Sequence, residues 1–111
     1  MTEQQIQKAI FAHLKQRAVP GAFFWHPFSG GFRKPKEAAI YKGLGAIAGL
    51  PDVIIVKDGR IFAIELKTTT GRLTDTQRDT HEAMQRAGVT VAVCFGLDAA
   101  LAQLQEWRLF R

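Results

Sequence analysis

A single cysteine leaves no internal disulfide to staple this chain of 111 residues. Cys94 lies in the apolar run Val91 to Phe95, which predicts a buried, reduced thiol. No histidine is placed to activate it, so it does not read as a nucleophile. No basic segment followed by an apolar stretch is visible near the start, so no signal peptide is expected. No apolar run approaches the roughly 20 residues that span a membrane. The expectation is a soluble, intracellular, cytoplasmic protein. Repeats, linkers and low-complexity tracts are also missing, which predicts one domain over residues 1–111. Acidic residues are in short supply, with ten against fifteen Lys and Arg, a formal charge of +5. That surplus suits a polyanionic partner.

Apolar residues make up 47% of the chain, enough for a core without covalent or metal staples. A domain of this size buries roughly 60–70% of the surface its unfolded chain exposes. Thr2 and Gln5 form a capping box that opens a helix to about Arg17, with Ile6, Ile10 and Leu14 as its buried stripe. Ala22 to His26 reads as a short aromatic strand, and Pro27 to Lys36 as a basic loop. A helix over Lys36 to about Ile47 follows, weakened by Gly43 and Gly45. Val53–Val56 and Arg60–Lys67 are strands joined by Asp58-Gly59, the dipeptide of a two-residue hairpin. Thr74 with Gln77 opens a helix to about Ala87, stopped by Gly88. Val89 to Phe95 is a strand, and Asp98 is expected to cap a last helix through Glu106. The order gives an α/β fold with a central mixed sheet flanked by helices.

The hairpin carries a geometric consequence. With its turn at 58 and 59, paired residue numbers sum to 117, so Asp52 faces Glu65. Opposed carboxylates repel, and a divalent cation reverses that penalty. Hard cations such as Mg²⁺ choose carboxylate oxygen and keep several waters. Strand alternation puts Glu65 and Lys67 on one face with Ile61 and Ala63, while Phe62, Ile64 and Leu66 point into the core. An ammonium one step from two carboxylates suits phosphodiester hydrolysis, where it offsets charge developing on phosphorus. The same pattern also fits a strand-opening Asp and a solvated surface ion pair.

Other residues carry paired readings. Glu3 falls angularly between Ile10 and Leu14, an inward-pointing third carboxylate, though Glu in a first turn also complements the helix dipole. Gln77 can position a water or phosphate, or be committed to its capping box. His26 approaches the substrate or the metal, or is an ordinary histidine. Arg33, Lys34, Lys36 and Lys42, interleaved with Phe32 and Tyr41, suit contact with a nucleic-acid backbone, as does Arg72. A merely solvated loop explains the same charges. Trp25 and Trp107 read as packing residues.

Gly49-Leu50-Pro51-Asp52 followed by Glu65-Leu66-Lys67 resembles the Pro-Asp…(Asp/Glu)-x-Lys signature of restriction-endonuclease-like nucleases. The finer resemblance is to the VRR-NUC (virus-type replication-repair nuclease) group. It rests on Glu3 before Ile6-Gln7, Gly45 to Asp52, Glu65 to Thr68, Gly71-Arg72 and Gln77, in order along nearly the whole chain. The resemblance implies a restriction-endonuclease-like α/β/α core and Mg²⁺- or Mn²⁺-dependent DNA cleavage leaving a 5′-phosphate and a 3′-hydroxyl. It makes Asp52 and Glu65 metal ligands, with the Leu66 backbone carbonyl and Glu3 as further ones. Lys67 becomes catalytic, with Glu3 and Gln77 assisting. Small stand-alone members resemble Holliday-junction resolvases, which implies a homodimer acting on branched or four-way DNA in phage replication or DNA repair. Two equivalent cuts in a junction need two sites related by a two-fold axis. The expected activity is a structure-specific endodeoxyribonuclease. Its rival is a DNA-binding module with a nuclease fold and no turnover.

Overall fold

The computed structural model describes residues 1–28 and 34–111. Its elements run α1 (Glu3–Arg17), β1 (Phe23–Trp25), α2 (Pro35–Gly43), β2 (Val53–Lys57), β3 (Arg60–Lys67), α3 (Asp75–Arg86), β4 (Thr90–Phe95) and α4 (Leu97–Glu106). Both expected capping boxes form, at Thr2/Gln5 and Thr74/Gln77. Each satisfies backbone N–H groups that a helix start leaves unpaired.

The four strands lie in the order β1-β2-β3-β4. β1–β2 and β2–β3 are antiparallel, and β3–β4 is parallel. A parallel neighbour cannot be reached by a tight turn, and α3 is the crossover that reaches it. The β2–β3 register runs from Lys57↔Arg60 to Val53↔Ile64, as the Asp58-Gly59 turn requires. Both turn residues have positive φ, 51° and 77°, the conformation a two-residue hairpin demands.

The main core fills one side of the sheet. Ile6, Ile10 and Leu14 of α1 pack with Ala100 and Leu104 of α4 against Val53, Ile55, Phe62, Ile64, Leu66 and Cys94. Each fully buried Ile or Leu contributes roughly 1.5–3 kcal/mol. Leu109 and Phe110 complete this layer, tied back by an Ala18↔Phe110 bridge. Burial of Cys94 pushes its thiol up to about 11, in line with an unreactive core cysteine. Among the described residues no helix is long and apolar enough to cross a membrane.

Two local expectations are corrected. Asp98 does not cap α4: Gly96 is the N-cap, and Asp98 sits in the first turn. α2 ends at Gly43, short of Ile47, where two glycines lower helix propensity. Both tryptophans pack on a phenylalanine, Trp107 on Phe62 with ring centres 5.1 Å apart and Trp25 on Phe23 at the edge strand with ring centres 5.5 Å apart.

Candidate active site

Asp52 stands one residue before β2, in the position that continues the ladder opposite Glu65. Its Oδ2 accepts the Leu66 backbone N–H at 2.8 Å. Pro51 continues the same register opposite Leu66. The N–H and C=O of one strand residue point to the same side, so the Leu66 carbonyl faces Pro51 as well. Proline has no N–H to give it. The Pro-Asp dipeptide thus turns a strand end into an oxygen-rich corner: a side-chain carboxylate takes the amide, and the carbonyl beside it is spared the ladder bond.

The approach to Asp52 is fixed from two sides. Gly49 has φ +80°, and a Cβ there would lie 2.7 Å from the Thr76 carbonyl oxygen at the start of α3. Only glycine lets this loop press so closely on α3. The Thr80 hydroxyl donates to the Ala48 carbonyl at 2.7 Å. On the other side, His26 Nδ1–H donates to the Asp52 carbonyl at 2.7 Å.

Glu65 is buried on the second face of β3, only 2% exposed. Burial pushes its carboxyl up to about 9, helped by the Asp52 charge, a hydrogen bond to the Asp52 side chain and the more distant Glu3; Lys67 opposes the shift. That direction favours the protonated form of Glu65 in the metal-free protein. Lys67, on the same face, is also buried. α3 closes over this side. Gln77 Nε2 donates to Glu65 Oε2 at 3.3 Å, while Gln77 Oε1 accepts from the Thr74 N–H at 3.0 Å. The capping-box reading of Gln77 holds through Oε1, and the Nε2 end of the same amide is turned to Glu65. One turn further, His81 Nε2 lies 3.2 Å from Glu65 Oε1. Burial lowers the His81 pKa, with the Lys67 charge also lowering it and Asp52 opposing.

The residues fit a hard divalent cation. Two carboxylates set opposite each other, one of them buried, form a pair whose repulsion a cation removes. The Leu66 carbonyl adds a third oxygen at the same corner. Among the described residues no cluster of three or more His, Cys, Asp or Glu side chains gathers in metal-holding geometry. Glu3 corrects an expectation here. It is exposed, not inward, because the buried stripe of α1 starts at Ile6; the residue is felt by Glu65 only as a charge.

Lys34, Lys36, Lys42, Arg72 and His26 are all exposed, apart from the acid pair itself. Among the described residues, none of the four Lys and Arg side chains makes an ion pair with a carboxylate. Arg33 lies outside the described residues. The segment carrying α2 leaves the sheet beside His26 and returns through Gly49, so both its roots flank Asp52. His81 was not foreseen. Its signal was the four-residue step from Gln77, which places both on one helix face.

The VRR-NUC domain family matches residues 1–98. The chain belongs to the VRR-NUC family. A solved VRR-NUC domain protein superposes with a TM-score of 0.81 at 26% identity, covering 98% of this chain and 90% of that one. A second solved VRR-NUC domain gives a TM-score of 0.62 at 19% identity, over 96% of this chain and 97% of the other, a likeness of fold. No curated protein matches the chain. The mixed four-stranded sheet with its flanking helices is thus the VRR-NUC fold, a nuclease-fold domain that generally uses divalent metals and has DNA as its expected substrate.

Proposed function

We propose that this VRR-NUC domain is a metal-dependent, structure-specific endodeoxyribonuclease that hydrolyses DNA phosphodiester bonds. The observation that carries the reading is the half-buried Asp52, set opposite the buried Glu65 by the hairpin register, with the buried Lys67 on the same face as Glu65. Asp52, Glu65 and the Leu66 carbonyl would hold Mg²⁺ or Mn²⁺. When bound, the ion supplies a Lewis acid for the phosphoryl group and lowers the pKa of a coordinated water. Lys67 offsets charge developing on the phosphorus oxygens, in a dry site where such an interaction counts most. Gln77 fixes one Glu65 oxygen, and Glu3 adds negative charge at the rim. Arg33, Lys34, Lys36, Lys42 and Arg72 contact the DNA backbone, and His26 links that contact to Asp52.

A homodimer acting on a four-way junction is the finer reading. Its support is the apolar surface left open: α2 has no buried residue, and Phe23, Ile40, Leu44 and Ile47 are all exposed. A nine-residue helix without tertiary burial is marginal in water, so a second copy of the chain is the cover this reading assigns to it.

The test is gel cleavage with Mg²⁺ or Mn²⁺ on a four-way junction, a splayed arm, a flap, plain duplex and single strand, for wild type and Asp52→Ala. Paired symmetric cuts in the junction, lost in the variant, are expected. Cuts confined to other forms would keep the nuclease and remove the resolvase. DNA bound but never cut would leave a binding module.

A further inference from the structure

His81 is the one buried polar group of α3 for which the family motifs give no reason. It is 5% exposed and shares its helix face with Gln77, four residues earlier. Together the two residues hold both oxygens of one carboxylate: Gln77 on Oε2 at 3.3 Å and His81 on Oε1 at 3.2 Å. Each carboxylate oxygen has about two lone-pair directions. One contact per oxygen fixes the plane of the group and leaves the remaining directions toward Asp52.

We propose that His81 is a positioning residue, donating from Nε2–H to Glu65 Oε1 so that the carboxylate presents its free lone pairs to a divalent cation shared with Asp52. This rests on reading Asp52 and Glu65 as the cation site. The direction of the bond follows from chemistry: a cation-bound carboxylate carries no proton, so the hydrogen must come from the imidazole. The neutral ring then holds its proton on Nε2 and a lone pair on Nδ1. The groups facing this ring are Glu65, Asp52 and Lys67 from the sheet side. His81 touches neither DNA nor the ion. It acts through the orientation of Glu65, as outer-sphere partners of metal ligands do.

A core histidine with no such role would affect folding alone, so the test separates cation affinity from stability. Mn²⁺ binding is measured by electron paramagnetic resonance on the full chain for wild type, His81→Phe, His81→Gln and Asp52→Ala, with thermal melting of each. His81→Phe fills the space without a donor; His81→Gln restores an N–H donor. The expected result is a Mn²⁺ Kd weakened about 10–100-fold in His81→Phe and within about threefold of wild type in His81→Gln. In His81→Phe, cleavage is expected to recover as Mn²⁺ is raised, with KM for DNA little changed. Should His81→Phe lose its melting transition, His81→Met takes its place as a more adaptable apolar side chain. A folded apolar variant with wild-type Mn²⁺ affinity overturns the proposal while leaving the cation site standing. Equal weakening in the apolar and Gln variants also overturns it, since a donor would then not matter. Wild-type binding unaffected by Asp52→Ala overturns the cation-site reading, and the proposal with it.

Discussion

The corner formed by β2, β3 and α3 and the segment carrying α2 are neighbours in sequence and opposites in construction. In the first, Glu65 and Lys67 are buried, Asp52 is held by the Leu66 amide, and Gln77 and His81 grip one carboxylate. In the second, α2 buries nothing, and Lys34, Lys36 and Lys42 stand in solvent. The contrast separates two tasks. Stabilising charge at a reacting phosphate works best where water is excluded and groups are fixed beforehand. Holding a polyanion works through charges free to follow it, and depends on salt. The segment is rooted on both sides of Asp52, so under the proposed function a DNA backbone held on it would lie beside the acid pair.

Changes in the two regions should therefore differ in kind. The largest effect is expected from Lys67→Ala, which should lower kcat about 10²–10³-fold while DNA affinity in a filter-binding assay changes little. A variant cutting at near the wild-type rate would take Lys67 out of the mechanism. Next comes Gly49→Ala, which meets the Thr76 carbonyl at 2.7 Å and strains a φ of +80°. It should cost about 1–3 kcal/mol in chemical denaturation. Unchanged stability would show that the loop need not press on α3.

Replacing Lys34, Lys36 and Lys42 together by Ala should weaken binding to every DNA form. The slope of log K against log salt should fall by up to about 2.7, or roughly 0.9 per lost phosphate contact. An unchanged slope would mean that the segment does not touch DNA. A further expected effect is a pH trend. Unfolded Glu65 ionises near its ordinary 4.5, whereas the folded group keeps its proton until about 9. Between those values the folded state binds the extra proton, so metal-free stability falls as pH rises. Glu65→Gln should remove that fall and be the more stable metal-free protein at about pH 8. Parallel pH profiles in urea melts with a chelator present would contradict the raised carboxyl.

How far the sequence could be read follows the range of each signal. The hairpin register was legible because Asp58-Gly59 admits one pairing, and the register carried Asp52 to Glu65 without further information. Both capping boxes were legible because their partners lie three residues apart. His81 was not, since its contact needs α3 folded back over β3 by the crossover, a tertiary fact with no local trace beyond its spacing from Gln77. Glu3 was misplaced because helical angle says which side a residue takes, but not where the helix begins to pack.

The central claim is that Asp52 and Glu65 form a cation site, and calorimetric titration with Mn²⁺ tests it most directly. Wild type and Asp52→Ala would be compared in two buffers of different ionisation enthalpy. Mn²⁺ binding by the wild type is expected, with release of about one proton near neutral pH, because the ion must displace a proton favoured on Glu65. Both the binding and the proton release are expected to disappear in Asp52→Ala. Absence of binding by the wild type, or binding that Asp52→Ala leaves untouched, would contradict it.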